Sequence, residues 1–118
     1  MDEVEFLKRK GSIEVLCELE ENGKSFNELR DLGISPNTLS SRLKEALDLE
    51  LIEQRVCREG ERSKIKYHLT EKGKEVVKTI ESIKEDYFRL KEEVKRLEEE
   101  AKKKRQEIRE ILENLVIE

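Results

Sequence analysis

Apolar and polar residues alternate along this chain with three different periods, and each period predicts a different element. Ile13, Leu16, Cys17 and Leu19 recur at helical spacing, which predicts a helix over Ser12 to Glu21. Asn22-Gly23 ends it, glycine being comfortable in the left-handed position past a helix. Ser25 and Glu28 have the spacing of a capping box, and Phe26, Leu29 and Leu32 give the short helix that follows its apolar face. Gly33 breaks that helix. Ser35-Pro36 starts the next, with serine as N-cap and proline in the first helical position. Leu39, Leu43, Ala46 and Leu47 line one side of it; Asn37, Thr38, Ser41 and Lys44 lie on the other, with Arg42 at the border.

The period then changes to two. Leu51 to Cys57 is strand-like, and Ile65, Tyr67 and Leu69 alternate with Lys64, Lys66 and His68. The segment from Arg58 to Arg62 is the turn of a hairpin. Thr70 caps the last helix, which contains no proline and only Gly73 as glycine. Beyond Gly73 the apolar steps alternate between four and three: Val76, Ile80, Ile83, Tyr87, Leu90, Val94, Leu97, Ala101, then Ile108, Ile111 and Leu115. That is a heptad seam interrupted at Lys104. A continuous helix from Lys74 to Ile117 would extend ~65 Å and needs a partner helix to cover it. The predicted fold is mainly α with a small β-hairpin: a winged helix-turn-helix domain over 1–73, then a coiled-coil dimerisation helix over 74–118.

Composition fits this division. Of 118 residues, 46% are charged and 4% aromatic, too few apolar groups for a compact core over the whole length. The excess of Lys, Arg and Glu points to a thermophilic source. The net charge of −4 argues against bulk coating of nucleic acid. Screening confines fields to roughly 10 Å, however, so a local basic patch still acts locally. Such a patch exists: from Arg55 to Lys78 there are eight basic residues against four glutamates. No apolar run reaches the ~18 residues of a membrane span, and Asp2, Glu3 and Glu5 replace the basic start of a signal peptide. The expectation is a cytoplasmic protein.

A helix fits the major groove of DNA, and polar side chains near its N-terminus reach bases and phosphates. Ser35, Asn37, Thr38, Ser41, Arg42 and Lys44 are therefore candidate contacts, Asn37 and Arg42 for bases. Arg55, Arg58, Arg62, Lys64 and Lys66 are candidate wing contacts to the DNA backbone or minor groove. His68 is expected on an exposed strand near DNA. Ile80, Ile83, Tyr87, Leu90, Val94, Leu97, Ala101, Ile108, Ile111 and Leu115 are candidate dimerisation residues. β-branched residues at several a positions, with Leu90 and Leu97 at d, favour a parallel pair. Asp86 would then meet Lys91, and Glu100 would meet Arg105, while Glu93 would face Glu98. Folding of the helix back within its chain, or a bundle with Phe6 and Leu7, is the rival arrangement. Cys17 and Cys57 are expected as buried thiols, too far apart in sequence for a C-x-x-C site. There is no nucleophile–base pair, phosphate loop or metal set, so no catalytic residue, metal or cofactor is expected.

The stretch from Phe26 to Gly73 resembles the winged-helix regulators of the HxlR type within the MarR-like group. The residues that carry the likeness are Phe26, Glu28 and Leu29; Ile34, Ser35, Thr38, Leu39, Ser40, Arg42 and Leu43; Leu51, Ile52, Glu53 and Arg55; and Tyr67, Leu69, Thr70 and Gly73. PadR-type regulators share the last group, and the long final helix is similar to theirs. An early tryptophan and wing prolines, usual in HxlR members, are missing, and Asp48-Leu49-Glu50 replaces their acidic-Gly turn, which puts strain on Glu50. The resemblance implies a homodimeric repressor or activator that binds palindromic double-stranded DNA. The alternative function is a protein-interaction module with a coiled-coil tether.

Overall fold

The computed structural model describes residues 1–117. The elements run α1 (Glu3–Lys8), α2 (Ser12–Glu18), α3 (Phe26–Leu29), a 3-10 turn (Arg30–Leu32), α4 (Pro36–Asp48), β1 (Ile52–Glu59), β2 (Arg62–Leu69) and α5 (Glu71–Ile117). This is the predicted mainly helical fold with one hairpin and a long final helix. The chain divides into two compact units, Met1–Ile80 and the helix from Glu81 on.

α1 has no counterpart in the predicted elements. Asp2 caps it, its Oδ1 accepting the Glu5 N–H at 2.8 Å. Its Phe6 is fully buried in the first unit's core, which removes it as a partner for the heptad seam. Gly11 starts α2 at φ +86°, and a Cβ there would lie 2.9 Å from Ile34 Cδ1. α2 stops at Glu18, three residues earlier than predicted, and its buried face includes Val15 with Leu16. Gly23 does not take the left-handed conformation assigned to it; its lack of a side chain serves another purpose, described below.

The local signals around the helix-turn-helix form as the sequence predicts. Ser25 Oγ accepts the Glu28 N–H at 3.3 Å, and Glu28 Oε1 accepts the Ser25 N–H at 3.2 Å. Gly33 turns at φ +78°. Ser35 Oγ accepts the Thr38 N–H at 3.3 Å, and Leu39, Leu43 and Ala46 bury the inner side of α4. Beyond α4, Glu50 occupies the left-handed region at φ +59°, the strain anticipated for a non-glycine residue there. Two bonds of its own hold it: its N–H donates to Leu47 O at 3.0 Å, and Thr70 Oγ1 donates to its O at 2.6 Å; the next N–H, of Leu51, donates to Ala46 O at 2.9 Å.

The hairpin is antiparallel, from Ile52 opposite Leu69 to Glu59 opposite Arg62. Lys24 and Tyr67 add a short bridge, exchanging backbone bonds of 3.1 and 2.7 Å. Ile52 and Leu69 are buried, but Val56 and Ile65, opposite each other on the same face, are exposed. The predicted apolar face of β2 is thus covered only at its base. α5 begins with Thr70 Oγ1 accepting the Gly73 N–H at 3.1 Å. Gly73 packs so closely that a Cβ would sit 2.0 Å from Leu51 O. Val77 is buried in the core and Ile80 is half-buried.

From Ser82 on, every residue whose burial is described is exposed. Ile83, Tyr87, Leu90, Val94, Leu97, Ile108, Ile111 and Leu115 are each more than half exposed. Among the described residues, no helix is long and apolar enough to cross a membrane.

Candidate nucleic-acid interface

α4 presents its predicted reading face to solvent in part. Asn37, Ser41 and Lys44 are exposed, and Ser40, which carries the family likeness but was not among the expected contacts, shares that surface by its spacing from Asn37 and Lys44. Ser35 and Thr38 are occupied with the helix start: Ser35 Oγ also donates to Thr38 Oγ1 at 2.9 Å.

Arg42 has a different environment from the one a base-reading arginine needs. Its Nη1 bonds both Glu45 carboxylate oxygens, at 2.7 and 2.9 Å, and its Nε donates to Lys10 O at 2.9 Å. Only 14% of its side chain is exposed. Glu45 also accepts from Arg9 at 3.1 Å. The guanidinium therefore ties α4 to the segment between α1 and α2. No local pattern encodes this, because the carbonyl partner lies 32 residues away.

The wing cations divide similarly. Arg55 Nε donates to Glu53 at 2.9 Å. Lys66 lies 3.6 Å from Glu59, and Lys64 lies 3.9 Å from Glu28. The Arg55 and Lys64 pairs are exposed enough to exchange readily for phosphate, and Lys66 is the most covered of the three cations. Arg58 and Arg62 are exposed at the hairpin tip with no ion pair among the described residues. Glu28 is held below the usual carboxylate range, chiefly by the Ser25 backbone N–H, with the Ser25 hydroxyl and Lys64 adding to it.

His68 is not on the exposed face expected of it. Its ring lies against Gly23, where a Cβ would come within 2.2 Å of Cε1, so Gly23 is the space the imidazole needs. Nε2 is buried without a hydrogen-bond partner among the described residues. Burial lowers the His68 pKa from its ordinary value, and nearby Arg55 lowers it further.

Cys17 and Cys57 are half-buried and not joined in a disulfide. No group of His, Cys, Asp or Glu able to hold a metal occurs among the described residues.

Comparison with known proteins places this geometry. Residues 6–94 match the model of the HxlR-like helix-turn-helix family. An uncharacterised helix-turn-helix-type transcriptional regulator of Methanocaldococcus jannaschii is 35% identical over 83 residues, covering 65% of this chain and 71% of that one. Among solved structures, the reduced form of the transcriptional regulator YodB from Bacillus subtilis is 28% identical, with a TM-score of 0.62, over 69% of this chain and 80% of that one. The transcriptional repressor BigR from Xylella fastidiosa is also 28% identical, with a TM-score of 0.57, over 68% of this chain and 77% of that one. The chain is a winged helix-turn-helix regulator and belongs to the HxlR-like helix-turn-helix family.

Proposed function

We propose that this protein regulates transcription as a homodimer that binds DNA sequence-specifically. The observation that carries the reading is the exposed polar face of α4, with Asn37, Ser40, Ser41 and Lys44 on a helix of the size and position that enters a major groove. Asn37 is the base-reading residue, since an amide can pair with adenine. Lys44, Arg58 and Arg62 contact phosphate, and Arg55, Lys64 and Lys66 join them by exchanging their carboxylate partners. Arg42 acts as a positioning residue that fixes the angle of α4.

The division of labour follows the division of the chain. Met1–Ile80 contains the reading elements. The uncovered seam from Ile83 to Leu115 joins two copies in parallel, giving a two-fold reader for a two-fold operator.

Selection of bound fragments from genomic DNA supplies the operator. With it, Asn37→Ala should weaken the selected duplex by about 1–3 kcal/mol and relax the preference at one base pair. The three freely exposed cations of each copy alone predict a slope of log K against log salt of roughly −5 for the dimer, and the three paired ones steepen it as they exchange partners. Absence of duplex binding at low salt would contradict the reading and favour the alternative, a protein-binding module; the acidic N-terminal segment from Asp2 to Glu21 gives that alternative its surface.

A further inference from the structure

The exposed apolar surface of α5 changes width along its length. Ile83, Tyr87, Leu90, Val94 and Leu97 fall within an arc of roughly 80° at 3.6 residues per turn, the narrow strip one partner helix covers. From Ile108 to Val116 the arc widens to roughly 140°, because Leu112 and Val116 extend it to one side of the seam. Between the two segments, Glu98 to Glu107 offers Ala101 as its one apolar residue. Leu112 is 55% exposed and Val116 84% exposed. With Ile108 they line a shallow groove bordered by Arg105, Arg109 and Glu113.

A helix in a two-stranded coil has one neighbour. The groove through Ile108, Leu112 and Val116 is turned by roughly 80° from the strip through Ile111 and Leu115, more than the narrow strip a single neighbour covers. The charged border identifies the second neighbour. Arg109 and Glu113 make no ion pair among the described residues, whereas Arg105 is the residue that the proposed parallel dimer sets against Glu100. Two such grooves laid parallel place Arg109 beside Arg109 and Glu113 beside Glu113. Laid antiparallel, each Arg109 comes beside the Glu113 of the other copy, with the Leu112 side chains meeting near the centre. The surface is self-complementary only in that direction.

We infer that two dimers join tail to tail through this groove, forming a tetramer whose occupant at each groove is the same groove of another copy. The inference rests on the proposed parallel dimer. Two parallel pairs related this way close with D2 symmetry, leaving no surface for further growth. Such an assembly has two pairs of reading units and can hold two operators at once, raising the effective local concentration of the second.

Sedimentation analysis of the full chain over a wide concentration range tests this. The wild type should reach the mass of four chains, and Leu112→Gln with Val116→Gln should stop at two while still binding a single operator. Glu113→Arg should weaken dimer-to-tetramer association by about tenfold or more, through like charges brought together. Adding Arg109→Glu should restore it. A wild type that remains at two chains overturns the inference and leaves the dimeric regulator standing. A Leu112/Val116 variant that falls to single chains also overturns it, because the groove would then belong to the dimer seam. Failure of the charge swap to restore association excludes the antiparallel contact. A wild type of single chains defeats the dimer reading itself.

Discussion

The two units of this chain use apolar residues in opposite ways. In Met1–Ile80, outside the outer part of the hairpin, they mostly face inward: Phe6, Leu16, Leu29, Leu39, Leu51 and Val77 come from six different segments and are fully or almost fully buried. From Glu81 on they face solvent at regular spacing. The first unit has what it needs to fold alone. The second is a helix whose apolar strip is satisfied only by another helix. In the proposed dimer the difference separates two kinds of stability, one intrinsic to the chain and one dependent on its concentration.

The largest expected effect breaks the intrinsic part. Gly73→Val forces a side chain into the space filled by Leu51 O and should destabilise the first unit by about 3 kcal/mol or more, read from the urea midpoint. A matched pair sharpens the contrast. Leu39→Ala should cost about 2–5 kcal/mol at every protein concentration. Leu90→Ala should lower the melting temperature by an amount that depends on concentration, through weakened association. Equal concentration dependence in the two variants would erase the distinction.

Arg42→Ala comes next, at about 1–3 kcal/mol, because it leaves the partly buried Glu45 and the Lys10 carbonyl with fewer donors. If Arg42 instead read bases, stability would hold while one operator position lost its preference. The smallest effect is on pH. The folded His68 has a lowered pKa, so the unfolded chain takes up its proton first as pH falls. Its contribution to stability is complete above its ordinary value of 6.5 and is lost as pH drops from there through the folded pKa. His68→Gln should flatten that slope in denaturation curves measured between neutral and mildly acidic pH.

Features encoded over three or four residues were legible in the sequence: the Ser25–Glu28 box, the Ser35-Pro36 start, the Thr70 cap, the Gly33 turn and the hairpin. The caps and the turn are contacts between near neighbours, and the hairpin shows as two alternating runs joined by a short turn, so spacing alone identifies them. α1 was missed because six residues are too few for a period to show; its sequence signal was Asp2 three residues ahead of Glu5. The environments of Arg42, His68 and Gly23 were missed because their partners are distant in sequence. The site shows the same division. Which helix could read DNA was visible in side-chain type, but which of its side chains are occupied elsewhere depended on tertiary contacts.

The proposed division of labour is that one unit reads DNA and the other supplies the second reader. It is tested most directly by the stoichiometry and affinity of the Leu90→Asp, Leu97→Asp chain on a selected operator, measured by sedimentation with labelled duplex. The expected result is a folded, single-chain protein that occupies half-sites independently, with operator affinity reduced by about a hundredfold as the linked second contact is lost. Undiminished affinity from one chain per operator would contradict it.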